Sequence, residues 1–224
     1  MKQLEKELKA LRHNLLEMTM LVNQQVEKAC EAFETGNKDL AMEVLTNERR
    51  INAHELKMDV DCENILALHT PVAADLRFVM AAYNIISTLE RIGDNAAGIA
   101  RYVLEIDSRL PDDALVQIRY HEMAQTALSM LDDALDAYEE ESPGKAYGIH
   151  SRDLILNEIN INSSDVMVKL IAEHPQHVKQ LLFLFSTIKK LERIGDLIKN
   201  IAEEIIFYID AKVIKHMYSR SNKD

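Results

Sequence analysis

Apolar residues recur every three or four positions along nearly the whole chain, a spacing that places them on one face of an α-helix. The first such run extends from Leu4 to Phe33, and further runs continue as far as Tyr208. Short segments rich in Gly, Pro and Ser separate the runs, and these residue types end or begin helices. The pattern predicts six long helices and an all-α fold.

The segments between the runs predict where each helix begins and ends. Gly36 is expected to make the first turn in the left-handed conformation. Thr70 is expected to be the N-cap of the third helix, with Pro71 in its first position. A fourth helix is expected to start at Pro111 and continue through Tyr138. The remaining breaks are predicted at Ser142–Gly144, which ends the fourth helix, and at His174–Pro175, which opens the sixth.

One hexapeptide occurs twice in the chain. Leu-Glu-Arg-Ile-Gly-Asp occupies residues 89–94 and again residues 191–196, 102 positions later, and the two surrounding segments align without gaps. Each copy lies in the third of three predicted helices, so the chain reads as an internal duplication. Short loops place successive helices antiparallel, which predicts two tandem three-helix bundles, residues 1–107 and 108–218, followed by a polar tail at 219–224.

Each hexapeptide carries two acidic residues four positions apart, Glu90 with Asp94 and Glu192 with Asp196. Residues at this spacing lie side by side on one helix face, where like charges repel unless water or a bound cation compensates them. Each copy also places a Gly in mid-helix, which costs roughly 0.8–1 kcal/mol relative to Ala. The repetition indicates that the bare backbone is needed in both halves.

Oxygen-bearing side chains also follow the edge of the apolar face on the second and fifth helices. We define the first stripe as Glu90 and Asp94 together with Glu48, Asn52, Glu55 and Asp59. The second stripe is Glu192 and Asp196 together with Asp153, Asn157, Asn160 and Ser164. Ligand sets made only of oxygen suit hard cations such as Fe(III), Mn, Mg or Ca, and they tolerate Zn. The stripes are therefore predicted metal sites at the border of the core.

Two alternatives remain open at this point. Arg91 and Arg193 are placed to neutralise the acids without a metal, which would make the chain a helical scaffold with salt-bridged faces. Bundle carboxylates also build the sites of di-iron oxidases, which use Glu-x-x-His pairs. None of the eight His residues has a Glu three positions before it, so the sequence argues against an enzyme of that class.

Composition narrows the class of protein further. The chain has 224 residues, 47% of them hydrophobic, and a formal net charge of −11, which is the wrong sign for binding nucleic acid. It shows neither a signal peptide nor an apolar stretch of membrane-spanning length, which predicts a cytoplasmic protein. Cys30 and Cys62 are predicted to lie roughly 30 Å apart on antiparallel helices, at 1.5 Å per residue, and to be buried free thiols.

The sequence resembles the PhoU family of bacterial phosphate-uptake regulators. The resemblance covers nearly the whole chain and is most specific at Leu89–Asp94, Leu191–Asp196 and Pro71–Arg77. It implies metal clusters, of iron foremost, on Glu/Asp-x-x-x-Asp motifs. Carried over by position, the ligands would be Glu90, Asp94, Glu192 and Asp196, with Glu48/Asn52 and Asp153/Asn157 in the motifs of the second and fifth helices. There Asn replaces the second acid, which weakens both sites.

The resemblance also implies a function. Members of the family act as negative regulators that restrain the phosphate ABC transporter and keep the membrane sensor histidine kinase from switching on the phosphate-starvation response. The chain is then expected to be no enzyme, and to lie at the inner face of the membrane through these partners. Its long amphipathic bundles also suggest a homodimer.

Overall fold

The computed structural model of the protein describes residues 2–213, which form seven α-helices, one short 3-10 helix and no β-strand. The helices are α1 (Lys2–Thr35), α2 (Lys38–His69), α3 (Ala73–Glu105), α4 (Ala114–Gln117), α5 (Tyr120–Glu139), α6 (Pro143–Glu173) and α7 (Val178–Asp210). The 3-10 helix, Pro175–His177, immediately precedes α7. The prediction of an all-α fold is confirmed.

The helices pack as two groups of long helices that share one apolar core. Helices α1, α2 and α3 contact one another, as do α5, α6 and α7, and the two groups meet where α3 packs along α7 and α1 touches α5. Residues at the predicted apolar positions, such as Leu15, Ile92 and Ile194, are fully or almost fully buried. Burial of the continuous apolar faces is what holds these helices together, because isolated helices are marginal in water.

The connection between α2 and α3 differs from its prediction. Thr70 is the C-cap of α2, in the left-handed conformation at φ 46°, and the N-cap of α3 is the extended residue Val72. Proline disfavours the helical conformation of the residue before it, so the chain leaves α2 at Thr70 instead of entering α3 there. Pro71 therefore lies in the link and not in the first turn of α3.

The predicted fourth helix is interrupted. The short α4 ends at Gln117, and α5 begins at Tyr120, because Arg119 between them is left-handed at φ 58°. The break accompanies the insertion of Tyr120 into the core, where its hydroxyl donates a hydrogen bond to the carbonyl of Cys30 at 2.8 Å. Apolar periodicity carries no signal for such a contact between distant segments, so it predicted one helix.

Two further boundaries also move. Pro143 begins α6 and does not end the preceding helix, in keeping with the preference of proline for the first helical turn. Pro175 opens a 3-10 turn before α7. By contrast, Gly36 adopts the predicted left-handed conformation at φ 68°, and Cys30 and Cys62 are buried free thiols as predicted. The predicted boundary at residue 107/108 falls between α3 and α4, and the tail at 219–224 lies outside the described residues.

Contacts between α3 and α7 bring the second half of the chain close to the first stripe. The rings of Tyr102 and Phe183 stack with centroids 5.1 Å apart. On the same interface, the side chain of Lys190 in α7 lies directly over the bare backbone of Gly98 in α3. Burial lowers the pKa of Lys190, as does the nearby Arg101. One wall of the first stripe is thus formed by a residue of the other bundle.

Candidate functional site: two carboxylate stripes

The first stripe brings acids from α2 and α3 into one electrostatic cluster. Glu55 and Glu90 are half-buried and Asp94 is exposed. Burial raises the pKa of Glu90 to about 7, with further contributions from Asp94, Glu55 and Glu48. Burial likewise raises the pKa of Glu55, as do Asp59 and Asp94. The acids therefore repel one another across the two helices, as the sequence predicted for those within one helix.

Little in the first stripe compensates this charge. Within residues 2–213, the only ion pair made by its acids joins Glu48 to Arg101, whose Nη2 lies 2.7 and 2.9 Å from the two carboxylate oxygens. Asp59 keeps one buried oxygen, Oδ1, without a hydrogen-bond partner. Buried polar oxygens are nearly always paired, but Oδ1 of Asp153 in the second stripe also has no partner, so this feature is common to both stripes.

The second stripe contains its own cation. The ammonium of Lys199 lies 2.6 Å from Oδ2 of Asp153 and 2.7 Å from Oδ1 of Asp196, linking α6 to α7. The amide of Asn157 donates a further hydrogen bond to the same oxygen of Asp153, at 2.7 Å. The side chain of Asp153 is only 4% exposed, so these contacts compensate a nearly buried charge. They are short enough to be charge-assisted hydrogen bonds.

A second lysine extends this compensation along α7. Lys189 donates a hydrogen bond to Oδ1 of Asn160 at 2.6 Å. Burial raises the pKa of Glu192, as do Asp196 and Asp153, but Lys189 and Lys199 act in the opposite direction. Burial lowers the pKa of Lys199, but its hydrogen bonds to the two aspartates outweigh this and raise it overall. The second stripe is thus partly neutralised from within.

The glycine of each hexapeptide faces the neighbouring helix of its bundle. A Cβ atom on Gly93 would lie 3.1 Å from Cδ1 of Ile51 in α2, and one on Gly195 would overlap Leu156 in α6. Both glycines therefore allow a branched apolar side chain to reach the backbone beside the acids. The repeated need for bare backbone, inferred from the sequence, has this close approach as its structural basis.

The two arginines next to the acids in sequence form no ion pair with them in the described part of the chain, although Arg91 opposes the rise in the pKa of Glu90. Arg91 and Arg193 are exposed, and neither forms an ion pair with an acid of its stripe there. The compensating residues are Arg101 in the first half and Lys199 in the second. Sequence reasoning missed Lys199, although a signal was present. Lys199 is one helical turn after Asp196, and at an offset of 102 it aligns with Ala97.

The two stripes also differ in how well they fit a metal ion. In the first, Glu90, Asp94, Glu55 and Asp59 are clustered carboxylates without an ion pair among the described residues, which is a donor set for a hard cation. In the second, an ammonium already lies between the two aspartates. Across residues 2–213, the only group of His, Cys, Asp and Glu with three ligand atoms mutually within 4.8 Å lies elsewhere, at Asp113, Glu173 and His174. Loading the first stripe would therefore require side-chain movement, and the assignment of ligands stays a prediction.

Comparison with known proteins decides the family. The PhoU domain matches the chain twice, at residues 15–103 and 120–205, so that each copy contains one hexapeptide. The chain belongs to the PhoU family. The phosphate-specific transport system accessory protein PhoU of Edwardsiella tarda is 32% identical over 96% of this chain and 88% of its own length. The protein of the same name from Escherichia coli K12 is 30% identical over the same shares.

Solved PhoU structures share the fold. The crystal structure of PhoU from Pseudomonas aeruginosa superposes with a TM-score of 0.87, at 30% identity over 93% of this chain and 99% of that one. The phosphate transport system regulatory protein PhoU from Streptococcus pneumoniae gives 0.85, at 29% identity over 95% and 99%. As for membrane crossing, no helix among the described residues has the required length and apolar character.

Proposed function

We propose that this protein is an accessory regulatory protein of a phosphate transport system and that it acts as a negative regulator of phosphate uptake. The observation that carries the proposal is the double match to the PhoU domain. It is supported by relatives that align over 96% of the chain and are named as accessory proteins of such a system. A regulatory and not an enzymatic role agrees with those names.

The finer part of the proposal concerns partners. The protein would restrain the phosphate ABC transporter when phosphate is plentiful and keep the sensor histidine kinase from starting the starvation response. It would do so at the cytoplasmic face of the membrane, through these membrane-bound partners, and as a homodimer. The acidic surface of the chain, with its net charge of −11, suits docking on basic surfaces of partners and not on nucleic acid.

We also propose that the protein binds metal ions on its carboxylates, iron foremost, with the first stripe as the main site. Glu90, Asp94, Glu55 and Asp59 supply hard oxygen donors, and together they lack a compensating basic group within ion-pair distance in the described residues. A bound cation would relieve the mutual repulsion of these acids and hold α2 and α3 in one arrangement. That surface would then be available to a partner in a defined shape.

The regulatory role is tested by deleting the gene in its host and measuring expression of phosphate-starvation genes in phosphate-rich medium. We expect these genes to become constitutively active and the chromosomal copy, restored, to repress them again. Normal repression in the deletion strain would overturn the regulatory proposal. A scaffold without regulatory function predicts that outcome.

The metal proposal is tested separately on purified full-length protein. The variant Glu90→Ala with Asp94→Ala should lose metal, as measured by elemental analysis after loading and gel filtration. The matched control is Glu27→Ala with Glu31→Ala, an exposed acidic pair of the same spacing on α1, which should keep the wild-type metal content. Equal metal content in both variants would show that the first stripe is not the site. Turnover of oxygen by the iron-loaded protein would favour the oxidase alternative.

A further inference from the structure

The position of Lys199 separates the two stripes more sharply than any other residue. Its ammonium contacts one oxygen of Asp153 on α6 and one of Asp196 on α7, at 2.6 and 2.7 Å. A metal ion that bridged the two helices through Asp153 and Asp196 would compete with this ammonium for the same two carboxylates, although Oδ1 of Asp153 has no hydrogen-bond partner of its own. The lysine therefore occupies the place that a cation would take.

The surroundings of Lys199 make it hard to displace. Its side chain is 23% exposed, and that of Asp153 only 4%, so both charges have given up most of their water. Moving the ammonium away would leave Asp153 as a nearly buried anion, which is costly unless another cation takes over. A divalent ion that bound beside the lysine would also meet its positive charge at short range. Both effects oppose metal binding at the second stripe.

Asn157 strengthens the contrast. Its amide nitrogen donates to Oδ2 of Asp153, so its carbonyl oxygen is turned away from the aspartate. The first stripe has Asn52 at the equivalent place, but it has Ala97 where the second has Lys199. No lysine nitrogen lies within ion-pair distance of Glu90 or Asp94 in the described residues. The two halves of the duplication thus differ in the basic residue that compensates their acids, which is Arg101 on Glu48 in the first and Lys199 on Asp153 and Asp196 in the second.

We propose that Lys199 is a built-in counter-cation that keeps divalent metal ions off the second stripe, so that one chain binds metal through its first bundle only. This inference adds detail to the proposed function. It rests on that proposal only for the statement that the first stripe binds metal. The second stripe would then link α6 to α7 without metal, while metal at the first stripe would add to the Arg101–Glu48 ion pair that already links α2 to α3. Glu192, Asp196, Asp153 and Asn157 would serve as partners of a lysine and not as ligands.

The test uses full-length protein stripped with chelator, and Mn²⁺ as the probe. The background variant Glu90→Ala with Asp94→Ala disables the first stripe. Into it we introduce Lys199→Ala, which copies Ala97 of the first half, or Lys199→Arg, which keeps the positive charge as a matched control. Bound Mn²⁺ is counted from the loss of free-ion signal in electron paramagnetic resonance, and circular dichroism confirms that each variant is helical.

We expect the background variant and its Lys199→Arg derivative to bind no Mn²⁺ at the second stripe. The Lys199→Ala derivative should bind an additional ion, and adding Asp153→Asn should weaken that binding at least about tenfold, the loss of one charged ligand. Mn²⁺ bound by the background variant and lost on Asp153→Asn would overturn the inference. So would the absence of any gain in a folded Lys199→Ala derivative.

A measurement on the wild-type chain covers the case in which Lys199→Ala does not fold. Mn²⁺ broadens nearby amide signals in nuclear magnetic resonance, so titration should broaden Gly93 and leave Gly195 unchanged. Broadening of both at the same Mn²⁺ concentration would contradict the inference. Broadening of neither would mean that the first-stripe proposal has failed, whereas broadening of Gly195 alone would overturn the role of the lysine. The two proposals therefore fail separately.

Discussion

The two carboxylate stripes show that duplicated helical bundles can compensate their acidic residues in different ways. Both place a Glu and an Asp one helical turn apart beside a glycine that faces the neighbouring helix. In the first stripe the acids lie close to one another. Burial, together with the neighbouring acids, raises the pKa of Glu90 to about 7. In the second, Lys199 lies between Asp153 and Asp196. Similar backbones therefore do not guarantee equivalent sites.

The largest effect on stability should come from removing the contact between Lys199 and Asp153. In protein stripped of metal, Asp153→Ala should lower the free energy of unfolding by about 2–3 kcal/mol, because it leaves a half-buried ammonium with one acid. Combining it with Lys199→Ala should recover part of that loss. Denaturant unfolding of the four proteins in a double-mutant cycle gives the coupling energy. A coupling near zero would mean that the link does not stabilise the second bundle.

The glycines offer the next test of the comparison. Gly195→Ala should destabilise the protein by about 1 kcal/mol, because overlap with the fully buried Leu156 outweighs the better helix propensity of Ala. Gly93→Ala should be close to neutral, since its Cβ would only need Ile51 to move by a few tenths of an ångström. Thermal unfolding of both variants measures the difference. Equal effects would show that the two helix contacts are equally tight.

A smaller effect should depend on pH. Since the pKa of Glu90 is raised to about 7 in the folded protein from an ordinary value of 4.5, the folded state binds more protons between these pH values. The contribution of Glu90 to the free energy of unfolding therefore falls as the pH rises from 4.5 to 7. Without metal, Glu90→Gln should raise the melting temperature at pH 8 and leave it unchanged near pH 4.

The matched control for this pH effect is Glu192→Gln in the second stripe. Burial also raises the pKa of Glu192, but Lys189 and Lys199 oppose the shift, so the gain at pH 8 should be smaller. Melting curves of the two variants, recorded at both pH values in the presence of chelator, decide the point. A larger gain for Glu192→Gln would reverse the proposed difference in charge compensation.

The smallest effect is expected for the ion pair of the first half. Arg101 is 50% exposed, so its bond to Glu48 should contribute less than about 1 kcal/mol, as exposed pairs do. A double-mutant cycle of Arg101→Ala and Glu48→Ala should give a coupling well below that of Lys199 with Asp153. If the two couplings were equal, compensation in the first stripe would be stronger than its exposure indicates.

The sequence predicted much of this architecture, and the reasons are physical. Apolar residues such as Leu15 and Ile194 recur at a regular spacing along the sequence, so the long helices and their duplication could be predicted. The break at Arg119 could not be predicted in this way, because it depends on the contact of Tyr120 with Cys30, which is far away in the chain. Thr70 was mistaken for an N-cap because the same residue types occur at both ends of a connection.

The sequence predicted the acidic residues of the site but not the basic residues that compensate them. The spacing of Glu90 and Asp94 showed that the two carboxylates share a helix face, and the partial burial of Glu90 follows from the apolar residues beside it on α3. Which basic residue compensates an acid depends instead on side-chain reach across helices. Lys199 reaches α6 from α7, whereas Arg91 and Arg193, adjacent to acids in sequence, point to solvent. Neighbours in sequence were therefore poor guides to partners in space.

The contact of Lys190 with Gly98 has a consequence for dissecting the protein. Because a side chain of the C-terminal half closes one side of the N-terminal acidic surface, a fragment that ends before α4 would leave that surface open and differently charged. Affinities measured on such a fragment would describe a surface that the intact chain never presents.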